Sequence, residues 1–191
     1  CAVFLFVLLH LLAVRSGIIV FYISAFLLLL KYAFYTRKLI CLVPLVSLLL
    51  APFIAFQTIP SFKNKVHYTT YDLEMFRSGK GEYYSDSERW YSMSVGLKLF
   101  EDSPLMGTGI GDLKKECKET YKILYNMDNE KYPHNQYLFI LAGTGLIGLI
   151  LFLVGMVYPA FHFRKRLGNI FLTIMIIVLV TFLVENTIER S

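Results

Sequence analysis

"YPHNQYLFILAGTGLIGLILFLVGMVYPAFHFRKR" occupies residues 132–166. It opens as a polar turn, runs without a charged residue from Gln136 to Phe163, and closes on three cations. A helix needs about 20 apolar residues to cross the hydrocarbon of a bilayer. This run exceeds that, so it reads as a membrane span long enough to tilt or to begin outside the bilayer. Within it, "GTGLIG" (143–148) has the G-x-G-x-x-G spacing of a dinucleotide-binding turn. That turn has a mechanism only after a strand, at the start of a helix, with an acid about 20 residues on. Here it lies inside an apolar run followed by "FRKRL", so Gly145 and Gly148 read as small residues that let helices pack closely.

The rest of the chain repeats this blocky pattern. Its 191 residues are 56% hydrophobic and only 17% charged, with a mean hydropathy of +0.56, which points to an integral membrane protein. Further apolar blocks fill residues 2–14, 17–35, 39–56 and 167–184. The first is short and is read as truncated. The other three, with 136–163, are read as spans, and Pro44 and Pro52 are tolerated within a bundle. The expected fold is therefore all-α: a polytopic transmembrane helical bundle carrying a large helical loop. Transmembrane helices are expected over 1–56, the loop over 57–133, and two further transmembrane helices with a tail over 134–191.

The net charge of +5 is informative only when divided. The loop holds eleven basic and twelve acidic residues, whereas "KYAFYTRK" and "HFRKR" hold three basic residues each and no acid. Excess cations in short connectors are a topology signal and do not indicate nucleic acid. Both connectors should be cytoplasmic, which puts Arg15, the large loop and His134 together on the opposite face. Three cysteines without a CxxC spacing argue against a zinc site or a disulfide framework. No metal and no cofactor is expected.

Within the loop, "SDSERWYSMSVGLKLFEDSP" reads as a helix capped by Ser85 or Asp86, with an apolar stripe at Trp90, Met93, Leu97 and Phe100 and Pro104 just past its end. "DLKKECKETYKILYNM" reads as a second helix capped by Asp112, with Leu113, Cys117, Tyr121 and Leu124 on one stripe. Between them "PLMGTGIG" is a tight turn through Gly107, Gly109 and Gly111, whose N–H groups could face an anion. The aromatic stretch before residue 85 carries no assignable structure.

Three polar residues stand out. His134 at a span edge is either interfacial or a general base. Pro133 fixes the approach to it, and Asn135 needs partners where it enters the span. Arg15 between two apolar runs is either an interfacial anchor or a phosphate ligand. Arg89 would otherwise be a solvated charge paired with Asp86 or Glu88. Neither HExxH nor G-x-S-x-G occurs.

Taken together, "VRSG" (14–17), "RWYSMSVGLKLFEDSPLMGTGIG" (89–111) and "HNQYLFILAGTGLIGL" (134–149) resemble the O-antigen ligase family, which includes polysaccharide polymerases and protein O-oligosaccharyltransferases. Val14 stands where that family commonly has Ser. "ENTIER" (185–190) resembles the segment after a late span, so the protein is expected to continue past Ser191. The resemblance implies a bacterial inner-membrane glycosyltransferase of the GT-C type, acting on the periplasmic face. Its donor would be a glycan on undecaprenyl diphosphate. The acceptor would be lipid A-core, another glycan or a protein. It further implies His134 as the base, Arg15 and Arg89 on the diphosphate, and Asn135 and Trp90 at the substrate, without metal or nucleotide sugar. Two other readings compete: a polymerase of the same superfamily, and a non-catalytic transporter or inactive fragment. Span interiors nearly free of ionisable groups speak against transport.

Overall fold

A computed structural model describes residues 8–12, 15–36, 42–81 and 84–188. Among these residues there are helices and no strands: α1 (Arg15–Thr36), α2 (Leu42–Thr58), α3 (Pro60–Arg77), α4 (Ser85–Asp102), α5 (Leu113–Tyr125), α6 (Gln136–His162) and α7 (Arg164–Val184). The protein is thus an all-helical membrane protein. Two stretches are long and apolar enough to cross a bilayer, Ser16–Thr36 and Gln136–His162, with mean hydropathies of 2.1 and 2.5. A third candidate is a bent pair, Val46–Thr58 with Pro60–Arg77, turning by 95°. Four full spans were expected, but the apolar part of α7, Phe171–Val184, falls short of that length among the described residues. Most of the apolar block at 2–14 lies outside them.

The chain divides into two compact units, residues 1–71 and 72–191. In the first, α1 packs on α2. Ser24 and Ala55 are buried, while Phe34, Val43, Leu49 and Phe53 are exposed. Exposed apolar side chains on apolar helices are what a lipid solvent selects. Hydroxyls on these helices are satisfied locally: Ser47 donates to the Val43 carbonyl at 2.9 Å and Thr58 to that of Ile54 at 2.8 Å.

In the second unit α4 packs on α5 and α6, and α6 on α7. The core joins Tyr91, Val95 and Leu99 of α4, Leu113, Cys117 and Tyr121 of α5, and Phe139, Ile140 and Ala142 of α6. Burial of each valine, leucine, isoleucine or phenylalanine of this set stabilises by about 1.5–3 kcal/mol. The α5 stripe is buried as expected at Leu113, Cys117 and Tyr121, but Leu124 is exposed and Thr120 takes its place. The α4 stripe is not the expected one. Trp90 and Leu97 are exposed, and the buried side is Tyr91, Ser92, Val95, Gly96 and Leu99. Close approach decides this face: a Cβ on Gly96 would lie 2.5 Å from Cγ of the buried Pro133.

The caps differ too. Tyr84, not Ser85 or Asp86, is the N-cap of α4 and makes no side-chain cap bond. The first turn instead faces α3: Ser87 Oγ donates to the Asp72 carbonyl at 2.7 Å, and the Asp86 N–H points at Asp72 Oδ2. Asp112 does precede α5, but its side chain makes no cap bond.

Candidate functional site

Three consecutive residues at the mouth of α6 tie three elements together. Asn135 has extended backbone and caps the helix, its Oδ1 accepting from the N–H groups of Tyr137 at 2.9 Å and Leu138 at 3.1 Å. Its Nδ2 donates to the Leu183 carbonyl at the end of α7, at 2.8 Å. Gln136 is buried, and its Oε1 accepts from the N–H groups of Thr187 at 3.1 Å and Ile188 at 3.0 Å. The segment after α7 is thereby pinned against α6, and with it Glu185.

His134 faces α4. Its backbone N–H donates to Ser92 Oγ at 3.2 Å, and its Nδ1 lies 3.1 Å from the same oxygen. Ser92 Oγ donates its single proton to the Arg89 carbonyl at 2.8 Å. With that proton directed at the carbonyl, the network assigns Nδ1 as the donor to Ser92 and Nε2 as the bare, basic nitrogen. Burial lowers the His134 pKa from its ordinary value, and Arg89 and then Lys131 act the same way, while Glu185 and Glu88 oppose them. The imidazole is therefore neutral at pH 7, the form a general base requires.

A cleft of about 520 Å3 opens at this point, lined by His134, Arg89, Lys114, Lys131, Glu185 and Asn186 among others. That volume suits a sugar-sized ligand. The cations around it are held by acids. Arg89 Nη2 lies 2.7 Å from Glu185 Oε1, Lys114 pairs with Glu130 at 3.1 Å, and Lys131 pairs with Glu88. Arg89 thus takes its partner from the far end of the sequence and not from Asp86 or Glu88. A guanidinium offers five N–H donors, and Glu185 accepts from Nη2.

The other expected site residues fall as follows. Trp90 is on α4 with its ring 6.4 Å from that of Phe76, outside the lining of the cleft. Arg15 opens α1 in the first unit, and its side chain lies outside the described ones. Cys117 is a core thiol pushed up to about 12, by burial first and Glu116 second. Among the described residues no cluster of His, Cys, Asp or Glu stands close enough to hold a metal ion.

The glycine motifs have a different task from the expected one. α6 breaks at Gly145, with φ 66° and ψ −167°. The turn before α5 fills the break. The N–H groups of Thr108 and Gly109 donate to the carbonyls of Ala142 at 2.8 Å and Gly143 at 2.9 Å, and those of Leu146 and Ile147 donate to Pro104 at 2.8 Å and Leu105 at 3.4 Å. Of the turn's amides, those of Thr108 and Gly109 are thus spent on α6, and that of Gly107 donates to the Ser103 carbonyl at 3.0 Å. Gly145 serves a loop, not a neighbouring helix, since a Cβ there would lie 2.3 Å from the Leu105 carbonyl. Gly107, at φ +69°, would meet Thr144 N at 2.4 Å. Gly148 lies so close to Thr144 of its own helix that a Cβ would sit 1.9 Å from Oγ1. Gly109, at φ +90°, and Gly111 have open space beside them.

Residues 1–153 match the O-antigen ligase family. The chain belongs to this family. No curated protein and no solved structure matches it. As an O-antigen ligase family member it is a membrane glycosyltransferase of the ligase or polymerase kind, and the matched residues include Arg89, Ser92, His134 and the glycine turn. Ser92 and Gln136 escape sequence reading because each acts through one hydrogen-bonding oxygen in an otherwise ordinary helix. Glu185, the first residue of "ENTIER", lies beyond the matched residues, and its role beside Arg89 is seen only in the fold.

Proposed function

We propose that the cleft transfers a glycan from undecaprenyl diphosphate to an acceptor hydroxyl on the periplasmic face of a bacterial inner membrane. His134 Nε2 takes the proton of the acceptor hydroxyl as its oxygen attacks the anomeric carbon. The bond from that carbon to the diphosphate oxygen breaks, and the electron pair leaves with the diphosphate. Attack from the opposite side inverts the anomeric configuration. Charge accumulates on the leaving diphosphate, where Arg89 offers directed donors; Arg15 is a second candidate cation only because the resemblance of "VRSG" to the family implies it. With these cations the reaction proceeds without metal or nucleotide sugar. Asn135 holds α6 so that His134 meets the acceptor, and exposed Trp90 supplies a face for a sugar ring.

The observation that carries this reading is that His134, bonded to the buried Ser92, lines one cleft with Arg89. It supplies a neutral base and a cation to a single ligand. In membranes supplied with a lipid-diphosphate glycan, His134→Ala should abolish transfer while donor binding persists. Arg89→Ala and Arg15→Ala should each weaken donor use. Full transfer by His134→Ala at normal expression rules out the base. Offering lipid A-core, a second lipid-linked repeat or a protein in turn identifies the acceptor and separates ligase from polymerase.

A further inference from the structure

We propose that residues 103–111 form a membrane-dipping loop, with Leu105, Met106 and Ile110 in contact with lipid acyl chains. The inference uses only the second unit and is independent of the reaction.

Depth comes first. The basic corner at residues 164–166 marks one membrane boundary. At 1.5 Å per residue the unbroken helix from Leu146 to His162 rises about 25 Å, less than the ~30 Å of hydrocarbon, so the opposite boundary lies before Leu146. The break at Gly145 and the amides of Leu146 and Ile147 are then inside it. Irregular backbone survives at that depth only where protein satisfies its polar groups, each unpaired one costing several kcal/mol. The loop does this through four reciprocal bonds to residues 142–147, so the loop itself lies at the same level.

Composition and exposure agree with the depth. "SPLMGTGIG" has no charge, while Asp102 and Asp112 bracket it. Leu105 is 62%, Met106 73% and Ile110 51% exposed. In an aqueous loop, side chains this apolar and this exposed would be a liability. Here they continue the exposed apolar surface of α6 at Leu146, Ile147 and Ile150. Lipid is the occupant this continuity selects. The loop thereby anchors the α4–α5 hairpin, and the His134 cleft, about ten residues further up α6, is held near the headgroups.

Replace Cys1 and Cys41 by Ser in the full chain, keep the buried Cys117, and place a single NBD label at Met106→Cys or, in a second variant, Ile110→Cys. Asp128→Cys in the solvated loop and Val154→Cys on α6 are references. In phosphatidylcholine proteoliposomes, the labels at 106 and 110 should lose emission to acyl-chain doxyl lipid as position 154 does. They should also resist aqueous iodide, which quenches position 128. Iodide quenching equal to that at 128 overturns the proposal in favour of a solvated loop. Protection from both quenchers overturns it in favour of a protein partner.

Discussion

Replacing Ser92 by alanine isolates how the proposed base is prepared. The hydroxyl accepts from His134 N–H and Nδ1–H and donates to the Arg89 carbonyl. Each bond contributes about 1 kcal/mol net, so the variant should lose about 2–3 kcal/mol of local stability. The Nδ1 bond is the part that selects the tautomer. Losing about 1 kcal/mol of bias lowers the ratio of the bare-Nε2 tautomer to the bare-Nδ1 tautomer about fivefold, at 1.36 kcal/mol per tenfold. Ser92 is fully buried and does not line the cleft. The change should therefore appear in kcat, with KM for the lipid-linked donor little altered. Nitrogen-15 spectra of histidine-labelled protein distinguish the protonated from the bare ring nitrogen, and initial transfer rates give the kinetic side. Wild-type protein with the proton on Nε2 would refute the reasoning. So would Ser92→Ala with unchanged tautomer populations and unchanged kcat.

Charge neighbours should shift the acid limb of the pH–rate profile in opposite directions. Glu185→Gln removes a group that raises the His134 pKa and should move the limb to lower pH, whereas Lys131→Gln removes one that lowers it and should move the limb up. Because the folded pKa lies below the unfolded one, the unfolded state binds more protons as pH falls below about 6.5, and His134 should then cost stability on acidification, with no contribution above that pH. Asn135→Ala removes the α6 cap and the tie to Leu183, and thermal unfolding should report a loss of about 2 kcal/mol. Alanine at the turn glycines should give a graded series in the same assay. Gly111→Ala should be near neutral, Gly109→Ala should cost about 1–2 kcal/mol for its positive φ, and Gly107→Ala should cost more because its Cβ meets the α6 backbone.

What could be read in the sequence follows from what each signal measures. Hydropathy reports solvent, so the spans in α1 and α6 and the polar region between α2 and α6 were visible from block composition alone. Hydrophobicity does not report closeness of approach. The buried face of α4 is set by Ser92 and Gly96, small enough to admit His134 and Pro133, and a stripe of Trp90, Met93, Leu97 and Phe100 misidentifies it. Spacing motifs likewise say that glycine is needed without saying why. "GTGIG" and "GTGLIG" are two halves of one device, a loop and a helix break exchanging backbone hydrogen bonds over 34 or more residues of chain. The partner of Arg89 stands 96 residues away, and nothing in the "ENTIER" stretch that it opens says which cation it meets. His134 was legible as a candidate because proline and asparagine flank it at a span edge. Its chemistry was not legible, because the tautomer depends on where one serine proton goes, and that is decided by the fold of α4 around the Arg89 carbonyl. The same helix therefore presents the proposed cation from one residue and orients the proposed base through that residue's backbone, so a shift of α4 would disturb both at once.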